Sequence, residues 1–185
     1  MSDAFGNSFA MSRFAGLSVE QVKRDIGDAF LVIQAEQPSA TSPTSSRSAV
    51  DDPSGLFSKQ DGPPPEPTRG LVYAVARKPS STFAWIAVGR HENNDVWMPH
   101  SSISRFHAML RHENNAWSLQ DAKSANGTFV QNTPVTAHGT GEPTPLRSGQ
   151  EVRFGDIITL FLDAAGIVSL ATRTRSRGPI PGIGS

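Results

Sequence analysis

The chain has 185 residues, with 17 basic side chains balancing 17 acidic ones and no cysteine. That length allows one domain of ordinary size with a real core plus additional segments, and the charge balance excludes a general field steering the protein to nucleic acid or membrane, so any electrostatic recognition must be local. The lack of cysteine excludes a disulfide framework, a thiolate nucleophile and thiolate zinc ligation; with no run of ~18 apolar residues and no basic-then-apolar N-terminus, a cytoplasmic protein is expected.

Residues 1–17 carry small and polar residues around scattered Phe5, Phe9, Met11 and Phe14 without a clear period, and are expected to be a flexible N-terminus. Ser18 with Gln21 has the form of a capping box, and Leu17 with Val22 that of a hydrophobic staple. The segment 18–36 is therefore read as an amphipathic helix running from about Val19 to Gln34. Val19, Val22, Ile26, Ala29, Phe30 and Ile33 form its apolar stripe, which is expected to serve as a partner-docking segment. Gly27 inside it costs ~1 kcal/mol relative to alanine, so the helix needs a surface to pack on.

Residues 37–69 change abruptly to Pro, Ser, Thr, Gly and Asp, including Pro63-Pro64-Pro65-Glu66-Pro67. Such a composition cannot bury enough apolar surface to offset its ordering entropy, so a disordered linker stiffened by polyproline is expected. Thr41 and Thr44 are phosphorylatable positions on it. Composition favours a plain polar spacer, and the second reading is a tether whose phosphorylation closes the molecule on itself or pairs two copies.

Over 70–171 the signals are those of an all-β domain. Apolar runs recur at Leu71-Ala76, Phe83-Val88, Phe106-Arg111, Ala116-Leu119, Thr128-Val130, Glu151-Phe154, Ile157-Asp163 and Ile167-Ala171, with Gly, Asn and Pro turns between them. Short strands at this spacing suggest a sandwich or barrel. Residues 172–185, with Arg173, Arg175 and Arg177, read as a flexible basic tail.

Three clusters within the β region carry chemistry. Gly89 lets the backbone turn sharply at a strand end and places the Arg90 guanidinium there. Ser104 adds a hydroxyl donor and Arg105 a second cation, and Asn126-Gly127 sets a side-chain amide on a tight turn. Cations and neutral donors together suit a doubly ionised phosphate with three strong acceptor oxygens.

The stretch Gly89-Arg90-His91-Glu92-Asn93-Asn94-Asp95-Val96-Trp97-Met98-Pro99, then Ser102-Ile103-Ser104-Arg105-Phe106-His107-Ala108, then Asp121 to Ser124 and Asn126-Gly127-Thr128-Phe129-Val130, resembles the forkhead-associated (FHA) domain, a phosphothreonine-recognition module. The resemblance covers roughly residues 70–171 and implies a β-sandwich of about eleven strands, with the ligand site on loops at one end. By the same resemblance Arg90 and Ser104 grip phosphate, Arg105 reaches it as well, and Asn126 holds the peptide backbone. Gly89, His107, Gly127 and Thr128 are scaffold, His107 bracing the loop that carries Ser104. One position departs from the pattern: the family commonly has Ser or Thr before the asparagine, and here Ala125 follows Ser124. A backbone contact survives that change and a hydroxyl contact does not.

Three functions from different classes fit these features. The leading one is a non-enzymatic adaptor that binds a phosphothreonine motif written by a Ser/Thr protein kinase, with the N-terminal helix recruiting a second protein. The alternative is an assembly protein using the same fold for constitutive, phosphate-independent contacts. A hydrolase or metalloenzyme stands last, because Gly-x-Ser-x-Gly and His-Glu-x-x-His are missing and His91, His100, His107, His112 and His138 lack metal-ligand spacing. No metal or cofactor is expected.

Overall fold

The computed structural model describes residues 8–36, 69–81 and 83–176. Among them, twelve strands form two sheets. The chain enters through β1 (Ser8–Ala10), a 3-10 turn (Met11–Phe14), α1 (Val19–Asp25) and β2 (Ala29–Glu36), and continues through β3 (Leu71–Ala74), β4 (Ile86–Gly89), β5 (Val96–Trp97), β6 (Ala108–Glu113) and β7 (Ala116–Asp121). Then follow β8 (Thr128–Val130), β9 (Thr133–Pro134), β10 (Thr144–Leu146), β11 (Gln150–Phe154), β12 (Ile157–Asp163) and α2 (Ala164–Ser176). The larger sheet has the order β1-β3-β2-β12-β11-β8-β9, and the smaller one β10-β7-β6-β4-β5. All pairings are antiparallel except β4 with β5.

The two sheets enclose one core. Leu31, Tyr73, Phe154 and Phe161 from the larger sheet meet Ile86, Val88, Leu110 and Leu119 from the smaller. A second core covers the outer face of the larger sheet, where Phe30, Val32, Val72, Ala74 and Leu162 pack with Phe14, Val22, Ala164, Ile167 and Ala171. Strand β2 is thus buried on both faces: Ala29, Leu31 and Ile33 point to the first core, Phe30 and Val32 to the second.

This double burial corrects the long helix expected over 18–36. The capping box at Ser18 forms as expected, with Gln21 N donating to Ser18 Oγ and Ser18 N donating to the Gln21 side chain. The helix then lasts only seven residues. Gly27, at φ +149°, redirects the chain, and Ala29–Glu36 pairs with β12 and β3. A strand covered on both faces reads as a continuous apolar run, and such a run fits helical spacing as readily as strand spacing. The apolar side of α1 is also occupied within the protein, since Val22 is buried in the second core and Val19 and Ile26 pack against it. The expected docking role therefore has no free stripe to work with.

The same core corrects both outer boundaries of the 70–171 domain. Described residues before 18 are structured: β1 pairs with β3, and Phe14 is fully buried against the edge of the Phe30 ring. At the other end, the expected strand Ile167–Ala171 and the first residues of the expected tail form α2. Asp163 caps this helix, accepting from Gly166 N at 2.7 Å, and Ala164, Ile167 and Ala171 recur at steps of three and four as its buried stripe. The linker expectation, including Thr41 and Thr44, falls on residues 37–68 outside those described, apart from Arg69 at its last position.

Candidate functional site

The three sequence clusters come together at one end of the sandwich, on the loops following β4, preceding β6 and following β7. Arg90 is exposed just past β4. Its backbone amide donates to the Ser104 carbonyl at 3.0 Å, its carbonyl accepts from the Trp97 indole at 2.9 Å, and its guanidinium has no partner among the described residues. The Ser104 hydroxyl, half-buried, accepts from the Ala125 amide at 3.0 Å, which joins the second loop to the third. Since a hydroxyl has one proton and two lone pairs, Ser104 keeps its own proton for a ligand. Arg105 is exposed and also without a described partner. Asn126 is exposed, with its amide nitrogen donating to the Ser102 carbonyl at 2.8 Å, leaving a second N–H and the carbonyl oxygen to face outward.

Beneath these groups lies a buried scaffold. His107 is fully buried. The Ser104 amide donates to its Nδ1 at 2.9 Å, so the ring proton sits on Nε2, which donates to the Gly127 carbonyl at 3.2 Å. One imidazole thus ties the Ser104 loop to the Asn126-Gly127 turn. Burial pushes its pKa below the usual histidine value, more strongly than the Gly127 carbonyl and the Asp121 charge raise it, so the ring is neutral. Gly127 adopts φ +75°, as the tight turn requires, and Thr128 opens β8 with its hydroxyl donating to the buried Asp121 carboxylate at 2.6 Å. Gly89 is required for space rather than conformation: a Cβ there would lie 2.3 Å from the Arg105 carbonyl oxygen and 2.8 Å from the Asn94 amide nitrogen.

Several further supports make contacts that the local sequence does not specify. The buried Asn94 side chain donates to the carbonyls of both His91 and Arg105 at 2.7 Å, which locks the first loop to the second. Asp121 accepts from Ser124 N at 2.9 Å and from Ser124 Oγ at 2.6 Å, besides Thr128, and so sets the path of the third loop. Gly155, at φ +57°, has room for no Cβ against the Ser102 carbonyl, 2.5 Å away. The adjacent Asp156 amide donates to Ser102 Oγ at 3.0 Å, so the β11–β12 turn props the loop that Asn126 grips. The Gly155-Asp156 pair announces a hairpin, but nothing local says what that hairpin touches.

The site is therefore two guanidinium groups without partners among the described residues, a hydroxyl with its proton available and a side-chain amide, held on interlocked loops. Rigid loops bearing unused cations and donors are suited to an oxyanion with several acceptor oxygens.

Comparison with known proteins agrees with the motif. The glycogen accumulation regulator GarA of Mycobacterium tuberculosis is 30% identical over 102 residues, 52% of this chain and 59% of that protein. The oxoglutarate dehydrogenase inhibitor of Corynebacterium jeikeium is 29% identical over 105 residues, 54% of this chain and 69% of that protein. The chain thus spans about 59% of the length of the GarA proteins that it matches. Among solved structures, the kinase-interacting FHA domain of kinase associated protein phosphatase from Arabidopsis aligns with a TM-score of 0.46 at 21% identity, covering 73% of this chain and 92% of that one. The family model described as FHA domain matches residues 86–155, which include all three clusters. Residues 86–155 of this chain are an FHA domain.

Proposed function

We propose that the protein is a non-catalytic adaptor that binds a phosphothreonine segment of a partner protein, written by a Ser/Thr kinase. Arg90 and Ser104 grip the phosphate, Arg105 adds a second cation, and Asn126 holds the peptide backbone beside the phosphothreonine. The observation that carries this reading is the Ser104 hydroxyl, which accepts from the Ala125 amide on a backbone held by the His107 imidazole and keeps its own proton available, near an exposed Arg90 whose guanidinium has no partner among the described residues. The names of the relatives, a regulator and an enzyme inhibitor, fit a protein that acts by binding.

The deciding experiment is a phosphothreonine-oriented peptide library probed with the wild type and with Arg90→Ala. Phosphopeptides should bind far better than their unmodified forms, and Arg90→Ala should abolish the difference. If modification makes no difference and Arg90→Ala changes nothing, the reading fails.

A second reading has its own observation. Ala125 offers no hydroxyl, and its amide already bonds Ser104, so the third loop presents less to phosphate than a Ser or Thr would. The domain would then draw part of its affinity from phosphate-independent contacts. Partner binding that survives phosphatase treatment favours this reading.

A further inference from the structure

A groove of about 360 Å³ opens beside the phosphate-facing loops. Its walls include Phe83 and Phe106, the two large apolar side chains most exposed among the described residues, at 53% and 41%. Ala87 lies on its floor, pointing to the outer face of the smaller sheet between the core residues Ile86 and Val88. Arg105, His91 and Asn93 edge it.

Both phenylalanines are held in place. Phe83 stacks on Trp85 with ring centroids 5.3 Å apart and planes 11° from parallel, and its carbonyl accepts from the Arg77 guanidinium at 2.7 Å. Phe106 sits between two anchors, the Arg105 carbonyl bound by Asn94 and the buried His107. Their exposure costs hydrophobic free energy without serving the core. The Asp95 carboxylate at the groove takes hydrogen bonds from Lys78 N and Ala87 N, both at 2.8 Å, so it is held by its own loops. The formal charge presented outward is that of Arg105, at the end nearest Ser104.

The groove shares Arg105 with the proposed phosphate site, and two chain steps, at most ~8 Å, separate Ser104 from Phe106. We propose that it receives a bulky apolar side chain, aliphatic or aromatic, carried by the same partner segment as the phosphothreonine, and that this contact adds affinity that does not depend on phosphate. The inference rests on the adaptor reading for where the segment lies. It supplies the apolar anchor that a grip weakened at Ala125 leaves room for.

The test scans Phe and Leu through the flanking positions of a binding phosphothreonine peptide, against an alanine-flanked peptide, with unmodified versions of each. Titrations use the wild type, Phe83→Ala, Phe106→Ala and Arg90→Ala, with unchanged melting temperature as the control for folding. At one position the apolar residue should tighten wild-type binding about tenfold or more. Phe83→Ala should erase that gain and leave the alanine-flanked phosphopeptide unaffected. Phosphate-dependent binding with no apolar preference, or a preference that survives both phenylalanine variants, overturns the groove and leaves the phosphate reading standing. Equal binding of modified and unmodified apolar peptides, indifferent to Arg90→Ala but lost with Phe83→Ala, overturns the phosphate reading and keeps the groove. Absence of binding by any peptide overturns both.

Discussion

The Ala125 amide donates to the Ser104 hydroxyl across 3.0 Å, so the residue that lacks a side-chain donor also fixes the one that has it. Ala125 itself is exposed, which leaves room for a hydroxyl without disturbing the core. Ala125→Ser should therefore add a hydrogen bond to a charged ligand, worth ~1.5–3 kcal/mol, and tighten phosphopeptide binding by about tenfold or more. Calorimetric titration of the two proteins with one phosphopeptide checks it; equal affinities would mean that phosphate never comes within reach of position 125.

Gly89 makes a second prediction on different grounds. The close approach of the Arg105 carbonyl means that even a methyl group must push the second loop away from the first. Gly89→Ala should destabilise the fold by roughly 1–3 kcal/mol, as overpacking usually does, and weaken phosphopeptide binding further than the stability loss explains, because Arg90 and Ser104 separate. Denaturant melts alongside binding titrations distinguish the two effects. Wild-type affinity in a folded Gly89→Ala protein would show that the spacing of these loops does not matter to the ligand.

The parts of the fold and site that were legible in the sequence are those decided locally. Thr128–Val130 and Ile157–Asp163 emerged as strands with the bounds their apolar runs suggested, and the capping box placed the start of α1. The three clusters were visible because Arg90, Ser104 and Asn126 sit in short motifs, those of Arg90 and Asn126 beside glycines. The illegible parts depend on distant partners. Strand β2 looks helical until its two cores are known, and the run at Ile167 is too short for periodicity to separate helix from strand. Asn94 and Gly155 meet backbone atoms of other loops, which no spacing along the chain reveals. Strands β5 and β9, two residues each, fall below the length at which alternation is recognisable, and β10, Thr144-Pro145-Leu146, has no apolar run to mark it.

A third prediction concerns pH. The folded protein holds His107 below its ordinary pKa of 6.5, so above that value neither state binds the proton and its contribution to stability is fully present. As pH falls below 6.5 the unfolded chain takes up a proton that the folded chain resists, and stability declines until the folded-state pKa is also passed. Protonation would also place a donor on Nδ1 opposite the Ser104 amide, opening the site loop. The wild-type melting temperature should accordingly fall more steeply between pH 7 and 5 than that of His107→Gln. Parallel slopes would show that another group governs the acid limb.

The last prediction concerns the outer core and tests whether the N-terminal segment belongs to the folded unit. Phe14 is fully buried, edge-on to Phe30 with centroids 5.2 Å apart, and Phe30 lies on β2, an interior strand next to the central β12 of the larger sheet. Strand β2 in turn pairs with β12, whose far side pairs with β11, and the β11–β12 turn props Ser102 through the Asp156 amide. Truncation at Phe14 removes a large buried ring from a site that the sheet cannot close, so Phe14→Ala should cost about 3–5 kcal/mol. That loss should appear as a single cooperative transition shifted to lower denaturant, because both cores share β2, β3 and β12. Substitution of the exposed neighbour Arg13 by Ala, as a control, should shift the transition little. A Phe14→Ala protein as stable as the wild type, or one that loses only an early, separate transition, would show that residues 8–25 are an appendage to the sandwich and not one side of its second core.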